Sequence, residues 1–179
     1  MSDNQIMIAP LNAEAFAPFG DILEASGAPS KIINQGFCGR YHDLAELDFI
    51  ASGDDGGRAG ISLFDAEPRK LPYCLELVER HPLGSQAFLP MSMHGFLVIV
   101  APDEGGRPGK PLAFETKPGQ GINFHRNVWH GVLTPLKPPG LFAVVDRIGE
   151  ASNLEEYRFD APYWVIANPT NKKQKQSEK

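Results

Sequence analysis

Two short stretches concentrate the residues that could do chemistry. The first, "ERHPLGSQAF" at 79–88, sets Glu79, Arg80 and His81 in a row and then turns through Pro82, Gly84 and Ser85. The second, "GQGINFHRNVWHGVL" at 119–133, carries His125 and His130, with Arg126, Asn127 and Trp129 between them. His42 and His94, the other two of the five histidines, stand alone in loop-like sequence. Imidazole titrates near neutral pH, so converging histidines suit proton transfer or metal binding. In an extended strand alternate residues share a face, so Glu79 and His81 point one way and Arg80 the other. Leu75 and Leu77 have the parity of Glu79. That predicts a face that is apolar deeper in and polar at its end, as at the mouth of a barrel. His125 and His130 are five apart and need a turn to bring them together; Asn127 suits one. The plainer reading of the same residues is a solvated hairpin, a Trp129 packed in the core, and arginines in surface ion pairs.

The elements that must position these side chains are short. Eighteen glycines and sixteen prolines cut the chain into brief segments. "GISLFDA" (60–66), "YCLELVERH" (73–81), "GFLVIVA" (95–101), "PLAFET" (111–116), "GINFH" (121–125) and "LFAVVDRI" (141–148) are rich in β-branched or aromatic residues. Turns such as "PDEGGRPGK" (102–110) and "LKPPG" (136–140) separate them. Short strands with Gly/Pro turns predict an all-β chain, a barrel or sandwich. Helix is expected only over 12–20, with Asn12 as N-cap and Gly20 as stop, and as a turn over 153–159. "SGDDGGR" (52–58) reads as a solvated loop.

At 179 residues, with 42% apolar and 22% charged side chains, the chain fits one globular domain. The domain is expected over 1–168, with 169–179 a disordered polar tail. A net charge of −5 without a basic patch argues against nucleic acid. Two cysteines, Cys38 and Cys74, make neither a disulfide framework nor a Cys-x-x-Cys site, which points to a reducing compartment. The longest apolar run, "FLVIVA" at 96–101, is far too short to span a bilayer, and "MSDNQIMIAP" lacks signal-peptide character; the expectation is cytoplasmic. No phosphate loop, serine nucleophile elbow or Cys–His signature occurs.

The two histidine-bearing stretches resemble a degraded cupin pattern. Its metal positions read Glu79-x-His81, then Gln86, then His130, with two substitutions. Longer strings carry a more specific likeness. "ERHPLGSQAFLP" (79–90), "FLVIVAP" (96–102), "GQGINFHRNVWH" (119–130) and "VVDR" (144–147) resemble the ureidoglycolate lyase family, also called ureidoglycolate hydrolase. So do "APFGDIL" (17–23), "IINQGFCGRYHDLA" (32–45) and "ISLFDAEPRKLP" (61–72), in the same order over roughly 8–160. Two departures stand out. Gly131 and Val132 replace the family's usual histidine and proline, and Asn127 stands where glycine is common.

The resemblance implies a cupin-type β-barrel, a homodimer, and cleavage of (S)-ureidoglycolate to glyoxylate and urea in allantoin (purine) breakdown. It also implies a divalent metal, nickel in particular, and no organic cofactor. Elimination from ureidoglycolate needs a base for the hydroxyl proton and an acid for the departing nitrogen. His81, His125 and His130 are the candidates, with the roles unassigned. Glu79, His81, Gln86 and His130 could hold the metal, which would polarise the hydroxyl. Arg40 or Arg126 is expected to clamp the carboxylate, Ser85 and Gln86 to bond the ureido group, and Trp129 to line the substrate. The rivals are an amidohydrolase releasing ammonia and a non-catalytic cupin that binds a small carboxylate.

Overall fold

The computed structural model describes residues 3–51, 53 and 56–169. All but the first residue of the tail expected over 169–179, and part of the loop at 52–58, lie outside the described residues. The chain begins with β1 (Gln5–Pro10), a one-turn helix α1 (Ala13–Phe16) and β2 (Gly20–Leu23). A hairpin of β3 (Lys31–Ile33) and β4 (Cys38–Arg40) precedes β5 (Arg58–Asp65), β6 (Tyr73–Arg80) and β7 (Gln86–Pro90). Next come β8 (Phe96–Ala101), β9 (Leu112–Glu115), β10 (Gly121–Phe124), β11 (Trp129–His130) and β12 (Thr134–Pro135). The last two strands are β13 (Leu141–Ile148) and β14 (Glu155–Ile166). The chain is thus mainly β, as its short apolar segments require, and among the described residues no helix is long and apolar enough to cross a membrane.

Strands β11-β6-β14-β1-β9-β8 form one sheet, and β11 pairs with β8 as well as β6, so the sheet closes on itself. A second sheet, β2-β10-β7-β13-β5, packs against it. The run "FLVIVA" shows why. Phe96, Val98 and Val100 enter a phenylalanine-rich core with Phe88, Ile122, Phe124, Phe142 and Val144 of the second sheet. Leu97, Ile99 and Ala101 face a core made only of closed-sheet residues, among them Ile6, Leu75, Val78 and Trp129. A strand buried on both faces must be apolar at every position, and this one is.

Two helical expectations resolve differently. Asn12 does cap α1, its side chain accepting from the Ala15 N–H at 2.9 Å, but the helix ends at Phe16 and Gly20 opens β2. Gly20 is needed because a Cβ there would run into the Asn123 carbonyl of the paired strand β10. The turn expected over 153–159 is instead the start of β14, where Glu155 and Tyr157 pair with Arg80 and Val78. Tertiary pairing overrides the helical propensity of "LEE". Gly20→Ala is therefore expected to cost about 2 kcal/mol or more and lower Tm by at least about 4 °C. Gly56→Ala, which meets nothing within 4 Å, should leave the thermal unfolding midpoint nearly unchanged.

Candidate active site

Glu79 lies near the end of β6 and is paired across the closing strand with His130. His81 follows just beyond. Each imidazole is held by a main-chain carbonyl: His81 Nδ1 lies 2.6 Å from Asn153 O, and His130 Nδ1 lies 3.1 Å from Gly131 O. A carbonyl only accepts, so each ring carries a proton on Nδ1, and in its neutral form offers its lone pair at Nε2. Both Nε2 atoms are buried and have no hydrogen-bond partner among the described residues. The two rings sit 5.2 Å apart, and His130 stacks on Phe124 at 4.3 Å. Glu79 completes a group with His81 and His130 whose ligand atoms all lie within 4.8 Å of one another.

Burial sets the protonation of this group. His130 is held at a pKa of about 3, first by burial and then by the charge of neighbouring His81, so its ring stays neutral. Burial pushes the Glu79 carboxyl up, against the pull of His81, and Glu156 across the strand adds to the rise. Two buried imidazole nitrogens with no partner, beside the half-buried Glu79 carboxylate, are costly unless a cation or a ligand satisfies them. The donor set, two imidazoles and a carboxylate, suits a divalent transition metal.

The facing wall comes from the second sheet. Phe124 on β10 is paired with Gln86 on β7, and the antiparallel register of β7 with β13 runs on to set Asp146 opposite Gln86. Asp146 has the parity of the core residues Phe142 and Val144, so it faces inward. The Gln86 side chain lies close enough to the Asp146 carboxylate to lower its pKa. Burial raises the Asp146 pKa, while Gln86 and His81 pull it back. Gln86 Oε1 and Asp146 Oδ1 are both buried and also lack partners among the described residues.

The turn in "ERHPLGSQAF" is pinned from outside. Ser85 Oγ accepts from the Asp48 N–H at 3.0 Å, and the Ser85 N–H donates to Asp48 O at 2.9 Å. Asn153 Oδ1 accepts from the Leu83 N–H at 2.6 Å. Ser85 thus ties the 48–50 segment to the turn. Asn127 has φ +67°, a left-handed conformation that asparagine tolerates in place of glycine, and its N–H donates to His81 O at 2.9 Å. The turn that the sequence required between His125 and His130 is therefore present, and it is fastened to His81.

It does not bring His125 inward. His125 lies on the face of β10 opposite Phe124, 3.3 Å from Asp21, and lines a surface cavity of about 310 Å³ with Glu46, Asp48 and Arg126. Arg126 is itself engaged, its Nε donating to Asp48 at 2.7 Å and its Nη1 to Pro82 O at 3.1 Å. Arg40 sits exposed on β4, 2.8 Å from His42. Trp129 packs in the closed-sheet core, donates from Nε1 to Asp103 at 2.8 Å, and carries Arg80 over its ring. Leu75 also lies in that core with Val78, not with Glu79. The strand alternation slips once between them, opposite the irregularity in β14 between Arg158 and Tyr163. Reading parity from Leu75 to His81 therefore fails, although Glu79 and His81 do share a face.

Sequence reasoning passed over Asp146, Phe124 and Asn153. "LFAVVDRI" held a usable signal for the first. A carboxylate in phase with Phe142 and Val144 has to be buried, and a buried carboxylate needs a reason. Calorimetric titration of the metal-stripped protein with Ni²⁺ is expected to show one tight ion. His81→Ala or His130→Ala should weaken it by more than the roughly 10–100-fold that follows loss of an outer partner. His125→Ala should leave the affinity unchanged.

Similarity to known proteins extends over nearly the whole chain. The profile of the family described as Ureidoglycolate lyase matches residues 3–166. A Rhodobacter capsulatus protein named ureidoglycolate lyase is 60% identical over 161 residues, covering 90% of this chain and 98% of its own. Ureidoglycolate lyase 2 of Rhizobium meliloti is 55% identical over 158 residues, covering 88% and 95%. The ureidoglycolate lyase of a Chelativorans species is 53% identical over 161 residues, covering 90% and 96%. With both sheets and both walls of the site inside the matched span, the chain belongs to the ureidoglycolate lyase family.

Proposed function

We propose that the protein splits (S)-ureidoglycolate into glyoxylate and urea, a carbon–nitrogen lyase reaction late in the breakdown of allantoin. The observation that carries the chemistry is the convergence of two imidazole lone pairs and the Glu79 carboxylate at one buried point. The substrate bears a carboxylate, a hydroxyl and a ureido group on one carbon. Its hydroxyl proton leaves as the C=O bond forms, the C–N bond breaks, and the nitrogen takes up a proton. No water is consumed.

Glu79, His81 and His130 would hold a divalent ion, nickel by family resemblance. When bound, such an ion polarises the hydroxyl oxygen and lowers its pKa. The carbonyls of Asn153 and Gly131 fix both imidazole tautomers, so the Nε2 atoms meet the ligand without rearrangement. His130, held at a pKa of about 3 by burial, is a poor proton acceptor at neutral pH. Phe124 stacked on His130 keeps water off that side of the pocket. The free thiols of Cys38 and Cys74 support a reducing compartment, in keeping with the cytoplasm.

Purified protein given racemic ureidoglycolate is expected to form glyoxylate and urea in equal amounts, and to lose that activity on metal stripping. His81→Ala or His130→Ala should lower kcat by about a hundredfold or more. Release of ammonia in place of urea would mean an amidohydrolase. Binding without turnover would mean a non-catalytic cupin.

We further propose a homodimer that uses the outer face of the second sheet. Strand β5 is an edge strand, and its Ile61 and Leu63 are 78% and 64% exposed beside Leu89. A row of bare aliphatic side chains on an edge strand is normally covered. Light scattering at micromolar concentration should give twice the chain mass, and the double substitution Ile61→Lys with Leu63→Glu should give the monomer.

A further inference from the structure

We infer that Asp146 and Gln86 together form a double acceptor that receives the N–H groups of the ureido moiety, making Asp146 a specificity-determining residue. The inference rests on the ureidoglycolate reading and assigns a site to the half of the substrate that the histidine wall leaves unmatched. Its basis is the row of side chains across the second sheet. Register places Gly20, Phe124, Gln86, Asp146 and Gly60 side by side on β2, β10, β7, β13 and β5. The two glycines at the ends add no side chain, so the three middle residues define the wall. Phe124 stacks on His130, which sets this wall directly against the metal-binding group.

The amide orientation follows from elementary hydrogen-bond chemistry. An ionised carboxylate only accepts, so the Gln86 amide must turn its N–H₂ toward Asp146. Its Oε1 then points away. That oxygen is buried on a residue only 7% exposed, and it has no partner among the described residues. Asp146 Oδ1 is likewise buried and without a partner among the described residues. Two acceptors with no protein donor therefore stand side by side on neighbouring strands. Buried acceptors left unmatched are rare in native proteins, and a ligand that donates would match them.

A ureido group presents an N–H and a terminal N–H₂ on one edge, two donors in parallel. The substrate's carboxylate and hydroxyl oxygens bring electron pairs instead and suit the opposite wall. The two walls thus sort the substrate end for end, with donors to Gln86 and Asp146 and oxygens to Glu79, His81 and His130.

The test uses two stable ligands that differ at one position. N-carbamoylglycine carries the terminal N–H₂, and N-acetylglycine replaces it with a methyl group. Binding of each to the metal-loaded protein is measured by calorimetry. The wild type is expected to prefer the carbamoyl compound by at least about tenfold. Asp146→Asn is nearly isosteric, yet whichever way its amide settles, one of the two acceptor positions becomes a donor. The preference should then collapse to within about threefold, with Ni²⁺ affinity unchanged. Asp146→Ser, which lacks the second oxygen, should give the same collapse and serves if the asparagine variant misfolds. A preference that survives in either folded variant, or a wild type with none, overturns the inference. A change in Ni²⁺ affinity would also overturn it, by making Gln86 a metal ligand. Failure of the wild type to form glyoxylate and urea would instead defeat the lyase reading, because the binding measurements do not depend on turnover.

Discussion

The structure depends on a strand of two residues. Trp129 and His130 form β11, which pairs with β8 on one side and with β6 on the other. Those few hydrogen bonds turn an open sheet into a closed one and at the same stroke place His130 beside Glu79. The strand can be this short because it is held by what flanks it. Asn127 in its left-handed turn binds His81 O, and the Gly131 N–H binds Ile99 O. Closure removes two sheet edges that would otherwise need covering. It also makes the site a by-product of the fold's own seam.

Adjacent residues on that seam have opposite fates. Trp129 enters the closed-sheet core and His130 the space between the sheets, so one step along the chain separates packing from chemistry. The same division holds on β6, where Arg80 covers Trp129 and Glu79 turns to the imidazoles. Aromatic contacts support the polar side: Phe124 packs against Phe16 and Phe88 as well as His130. The polar groups therefore sit at the margin of a rigid aromatic cluster, where their geometry is set by packing rather than by one another.

Much of the fold could be read from residues alone. The six apolar segments between Gly/Pro turns became β5, β6, β8, β9, β10 and β13 with boundaries shifted by a residue or two. The strands that were missed are β1, β2, β3, β4, β7, β11, β12 and β14; all but β14 are short, and all but the β3–β4 hairpin take their conformation from partners far along the chain. At the site, Glu79, His81 and His130 do converge, and Gln86 lies on the facing wall. His125 lies elsewhere, because only the turn geometry decides which of two nearby histidines faces inward. Asp146 was hidden for a different reason. Its neighbour across the sheet, Gln86, is sixty residues away in sequence, and no local pattern announces that pairing.

The partners that orient His81 and His130 are backbone oxygens, those of Asn153 and Gly131. A side-chain partner can be lost by a single codon change, whereas a carbonyl is supplied by any residue that keeps the local path of the chain. Positions 131 and 153 are thus chemically anonymous in this role, and drift at them is filtered by shape alone. The orientation of the reactive nitrogens is inherited with the fold and carries no sequence signature of its own.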